Sequence, residues 1–285
     1  MTPLFFVAHA GHHHLEASEV MTWWTWEPLV VALLVISAAL YVIGSRRMGR
    51  VRKLNVVAFL GGWVSLVIAL VSPLDALGGV LFSAHMAQHE VLMIIAAPLL
   101  VLGRPLIAML WALPASWRLP IARFFQSRPI AATWRFLTAP LIAVIVHAIA
   151  LWMWHLPALY EATLRNDSIH ALQHTSFIVT AALFWWALIH GRYGRLGYGA
   201  AVFYVFLTSM HSGALGALLT VSPNLWYPIY NARTAAWGLN PIEDQQLAGL
   251  IMWVPAGVIF LVLGLALFVA WLAEAERRVA AWEKK

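Results

Sequence analysis

The sequence contains no cysteine. Disulfides, thiolate metal sites and cysteine nucleophiles are therefore excluded. Charge is scarce as well. Asp, Glu, Lys and Arg make up 11% of the 285 residues, where a soluble domain carries about 25%. There is no Walker loop, no GxGxxG fingerprint, no HExxH motif and no nucleophile elbow. No catalytic residue is expected, and the chain reads as a protein that is not an enzyme. No stretch reads as a separate soluble domain.

What is abundant is apolar. Hydrophobic residues make up 62% of the chain, and runs of roughly 18 or more recur along it. This pattern predicts an all-α, polytopic membrane helix bundle. Seven transmembrane helices are expected, over Glu27–Ile43, Asn55–Ser72, Ser83–Leu102, Ala139–His155, Ile169–His190, Tyr198–Val221 and Gln246–Leu272. Residues 1–26 form a His-rich tail, 27–272 the membrane domain and 273–285 a tail at the other end. Ala8-His9-Ala10 resembles a signal-cleavage site, but the basic segment that precedes one is missing. The tail is thus read as external, with a signal-peptide remnant as one origin.

Charge sets the orientation. Every lysine and arginine except Arg165 and Arg233 falls in segments that seven spans place on one side. The positive-inside rule makes that side cytoplasmic, with the N-terminus outside and the C-terminus inside. The net charge of +6 then reflects a basic face towards anionic lipid, and no nucleic acid is expected as a partner. The longest connection, residues 103–138, mixes arginines, prolines and aromatics such as Trp111, Trp117 and Trp134. It reads as an amphipathic segment on the membrane surface or as an aromatic belt.

The histidines follow the opposite bias. Of the 12, only His190 falls at a cytoplasmic end. His9, His12, His13 and His14 lie in the tail. His85 and His89 share one face of a helix at i,i+4, as do His170 and His174. His147 and His155 are i,i+8, and His211 follows on the sixth span. Met86 lies beside His85. Imidazole with thioether suits copper(I), and ionisable groups inside a membrane mark functional sites. On the residues alone a metal or haem site is favoured. A hydrogen-bonded polar core without metal and a proton path stay open.

Two further stretches have local explanations. Asn240, Pro241 and Glu243 form a capping-box start to the last span. Ser209, Gly213, Gly216 and Ala217 make a small-residue stripe for close helix packing.

Five stretches together, "HMAQHEVLMIIAAPLLVLGRP", "LWMWHLPALYEATL", "IHALQHTSFIVTAALFWWALI", "TSMHSGALGALLT" and "PIEDQQLAGLIMWVPAG", resemble the caa3-type cytochrome c oxidase assembly factor family (CtaG, seven-span type). The similarity runs in order from Ser65 to Leu272. It implies a bacterial cytoplasmic membrane protein that helps to assemble a haem–copper oxidase, with an oxidase subunit and the lipid bilayer as partners. It also implies copper delivery to the oxidase, with His85, His89, His170 and His174 as first ligand candidates. His155, His147, His211 and Met86 are the secondary ones. The alternatives are a haem-binding redox protein and a metal-free assembly scaffold. An unrelated single-span copper chaperone shares the family's label but relies on cysteines, which this chain lacks.

Overall fold

The computed structural model describes residues 17–190 and 193–283. Every regular element among them is helical. The membrane-length helices are α1 (Pro28–Met48), α2 (Lys53–Leu70), α4 (Phe82–Gly103), α10 (Asp167–His190), α11 (Gly197–Val221) and α12 (Pro241–Trp282). Shorter helices join them: α3 (Pro73–Gly78), α5 (Pro105–Ala112), α6 (Ala115–Gln126), α7 (Arg128–Leu137), α8 (Pro140–Trp154) and α9 (Pro157–Thr163). Pro28, Pro73, Pro105, Pro140, Pro157 and Pro241 each sit in a first turn. There the missing N–H breaks no helical bond and the fixed φ favours the start.

Six of the seven expected spans are therefore single helices of membrane length. The fourth, α8, has 15 residues and reaches about 22 Å, short of a hydrocarbon core of about 30 Å. Together with α7 it becomes long enough, but the two helices meet at 68°. The last helix passes its expected exit at Leu272 and continues as one element to Trp282. In the long connection, α6 and α7 bury no residue, and Arg118 lies over the ring of Trp111 at 4.0 Å. This agrees with a surface segment.

Helix α4 is the hub. It packs against α2, α10 and α12. Its middle, Val91–Ala96, widens into a π-helical segment. Pro98 follows and cannot donate to the carbonyl of Ile94, which loosens the turn before it. The wide segment begins two residues after His89, and such segments recur at functional sites.

Helices α11 and α12 pack backbone to backbone. A methyl group on Gly249 would sit 2.6 Å from the Gly216 carbonyl and 2.7 Å from the Thr220 nitrogen. Gly216 thus belongs to a packing stripe, whereas Gly213 faces open space. Without a hydrophobic force between helices in lipid, such close contact is a main source of association. Gly249→Leu is expected to cost the bundle about 1–3 kcal/mol, read as a lower unfolding midpoint in detergent, while Gly213→Leu leaves the midpoint unchanged.

Candidate metal centre

The two i,i+4 pairs meet. His85 and His89 project from α4, and His170 and His174 from α10. One ligand atom from each of His85, His170 and His174 lies within 4.8 Å of the others, and all three residues are buried. The His85 ring is 4.4 Å from that of His89 and 5.3 Å from that of His170. The His89 ring is 5.4 Å from that of His174 and 6.4 Å from that of His155. Five imidazoles thus form one continuous, buried cluster.

His155 arrives by an unexpected route. Helix α8 ends at Trp154, so His155 is its C-cap, and its ring faces Phe177 of α10 as that of His147 faces Phe184. Its Nδ1 donates to the Leu151 carbonyl at 2.7 Å. In the neutral ring, Nε2 then carries a lone pair, and it lies 3.4 Å from the Met86 sulfur. Two lone-pair atoms face each other across this gap. Metal bonds of about 2.0 Å to nitrogen and 2.3 Å to sulfur span it in a bent arrangement.

Further buried polar atoms are unsatisfied. Among the described residues, neither ring nitrogen of His89 has a hydrogen-bond partner in good geometry, and the same holds for His211 and for Glu90 Oε2. Each such atom costs about 1–3 kcal/mol in a low-dielectric interior. A cation that accepts the lone pairs removes that cost. The donor set, imidazole with thioether, fits a soft ion such as copper(I). Closing nitrogens from 4.8 Å to the spacing of a bound ion needs movements of about 1 Å.

His147 and His211 stand apart as a second pair, with ring centroids 6.4 Å from each other. Thr180 Oγ1 accepts from His147 Nδ1 at 3.1 Å and itself donates to the Phe177 carbonyl. His9, His12, His13 and His14 lie outside the described residues.

Several supporting residues escape sequence reasoning. Gln173 Oε1 accepts from His85 at 3.3 Å and so orients a candidate ligand. Gln88 donates to Asp75 and to the Ala69 carbonyl, both at 2.7 Å, and ties α4 to α2 and α3. A signal existed for both: His85 to His89 and His170 to His174 each read H-x-x-Q-H. Asp244 accepts from the backbone nitrogens of Phe82 at 2.6 Å and Ser83 at 3.1 Å, capping α4 from another helix. Gln245 accepts from the Trp226 nitrogen and donates to the Asn224 carbonyl, which pins the loop before α12.

That loop and α9 roof the cluster with tyrosines. Tyr160 lies 5.0 Å from the His85 ring and 4.2 Å from the Tyr227 ring. The hydroxyls of Tyr160 and Tyr230 are 2.9 Å apart. Tyr230 also donates to the Gly78 carbonyl at 2.9 Å, and Tyr227 donates to the His155 carbonyl at 2.7 Å. Burial pushes all three phenols up, so they stay protonated and act as neutral hydrogen-bonding groups.

Residues 39–274 match the family described as cytochrome c oxidase caa3 assembly factor. The chain is also similar to curated mycobacterial proteins, each named only as an uncharacterized protein. Those of Mycobacterium bovis and Mycobacterium tuberculosis are 30% identical over 278 residues, covering 94% of this chain and 42% of theirs. That of Mycobacterium leprae is 27% identical, covering 93% of this chain and 41% of its own length. The chain therefore spans about two-fifths of the length of these relatives. No solved structure matches.

Proposed function

The chain belongs to the cytochrome c oxidase caa3 assembly factor family, and on that premise we propose that it carries copper(I) as cargo and hands it to a haem–copper oxidase subunit. The observation that carries this reading is the pairing of the His155 nitrogen with the Met86 sulfur, beside three imidazoles within reach of one ion. Zinc has little use for a thioether, whereas copper(I) favours one. His89 lies between the two groups of ligands. His147 and His211 are secondary ligands. The protein acts by ligand exchange, without turnover of a substrate. Its proposed place is the bacterial cytoplasmic membrane, with the N-terminus and the histidine cluster on the outer side, a reading that the positive-inside rule supports through the basic residues at the other end.

Copper loading of detergent-purified protein under reducing conditions tests this. The tail is removed by deleting residues 1–16, so that only the cluster is read. About one copper(I) per chain, with no haem absorption, is the expected result. A Soret band in the purified protein would replace copper by haem. Absence of both, after loading, would leave an assembly scaffold whose histidines only order the bundle.

A further inference from the structure

At the opposite end of α4 and α10 from the histidines, three arginines gather without a counter-charge. Arg50 and Arg52 come from the turn between α1 and α2, and Arg104 from the junction of α4 and α5. A cavity of about 160 Å³ is lined by all three, with Asn55 and Ile107 at its wall. A second cavity of about 130 Å³ shares Arg52, Asn55 and Arg104 and extends to Leu54 and His190. Among the described residues none of the three arginines has a carboxylate partner.

Hydrogen bonds tie the local framework together. Asn55 donates to the Leu102 carbonyl at 3.0 Å, and Tyr41 donates to the Asn55 carbonyl at 3.2 Å. Arg104 Nε donates to His190 Nε2 at 2.9 Å. This fixes the tautomer of His190, whose Nδ1 then carries a proton. Among the described residues that buried Nδ1 has no acceptor. Arg104 is also the only non-glycine residue described with a positive φ, at φ 50 and ψ 49. Backbone held in that region is characteristic of ligand clamps. The rims of the cavities are apolar and exposed, at Leu54 and Ile107.

We propose that this junction binds the phosphodiester of an anionic phospholipid. Guanidinium groups match phosphate oxygens through charge-assisted hydrogen bonds. The exposed Leu54 and Ile107 would lie along an acyl chain, which a free phosphate ion does not have. Basic pockets between helix ends at a membrane face are suited to such headgroups. The site does not depend on what the histidine cluster holds.

Native mass spectrometry of the detergent-purified full chain tests the assignment, with phosphatidylglycerol and phosphatidylcholine as probes. The anionic lipid is expected to be retained at least about 5-fold over the zwitterionic one. Arg104→Gly keeps the backbone conformation and removes the guanidinium. It is expected to lower phosphatidylglycerol retention about 10-fold or more, with an unchanged unfolding midpoint. Arg52→Gln gives an independent loss if Arg104→Gly unfolds. The Arg277→Gln/Arg278→Gln double variant, which removes charge from the same end, should leave retention unchanged. Equal retention of both lipids, or retention unaffected by Arg104→Gly and Arg52→Gln, would overturn the proposal. Displacement of the lipid by inorganic phosphate at equal concentration would reassign the site to the free ion.

Discussion

His174→Ala is expected to weaken copper(I) binding by more than about 100-fold in a competition with a chromophoric chelator. The expectation rests on the kind of role assigned. A residue that only orients a ligand typically accounts for about 10–100-fold in affinity, and Gln173→Ala is expected within that range because its side chain positions His85 and is no ligand itself. A direct ligand should exceed it. Met86→Leu separates the ions. It removes the soft donor beside His155 while keeping shape and apolarity. Copper(I) affinity should fall about 10-fold and zinc affinity should stay unchanged. Equal losses for both ions would show that sulfur plays no part. Unchanged copper binding in His174→Ala would remove α10 from the site.

The second large effect concerns a residue that touches no candidate ligand. Asp244→Ala is expected to destabilise the bundle by about 2–4 kcal/mol. Its carboxylate, fully buried, takes the first two N–H groups of α4 at 2.6 and 3.1 Å. Those groups have no partner within their own helix, and the N-terminal end of the helix dipole favours a negative charge. Asp244→Asn keeps one accepting oxygen and should recover about half of the loss. Glu243→Ala removes only the capping-box bond to the Asn240 nitrogen at 3.3 Å and should cost about 1 kcal/mol. Unfolding midpoints in one detergent order the three. Because His85 lies two residues after Ser83, Asp244→Ala should lower copper affinity as well. A midpoint for Asp244→Ala equal to that of Glu243→Ala would reduce Asp244 to a local cap.

Asp244 also shows where sequence reasoning stops. Its position in the first turn of α12 has a sufficient local explanation, the positive helix end. The partner that matters is 162 residues away, and nothing in the chain's periodicity points there. The same limit hid the tyrosine roof, since Tyr160 and Tyr230 belong to connections 70 residues apart. Long apolar runs, by contrast, need no partner to be recognised, and six spans were legible for that reason. The i,i+4 histidine pairs were legible too, because 3.6 residues per turn fixes which side chains share a face. Their convergence was not, since it depends on how α4 and α10 pack. His147 and His155 were expected on one face. Both rings do face α10, His155 at Phe177 and His147 at Phe184, but His147 pairs with His211 two turns below the cluster. The short α8 was not legible either: an apolar run does not reveal a 68° break at its edge.

On the proposed reading, the tyrosine roof would separate how tightly the cluster holds an ion from how fast it lets one go. Affinity would rest on the imidazoles and the thioether beneath. Passage would rest on hydroxyl bonds from Tyr230 to Gly78 and from Tyr227 to the His155 carbonyl, which tie a loop to two other helices. Weakening those ties is expected to change the residence time of an ion while leaving its equilibrium binding nearly intact. The roof would then be a timing element. A partner that docks on the loop before α12 could trigger release without competing for a single ligand.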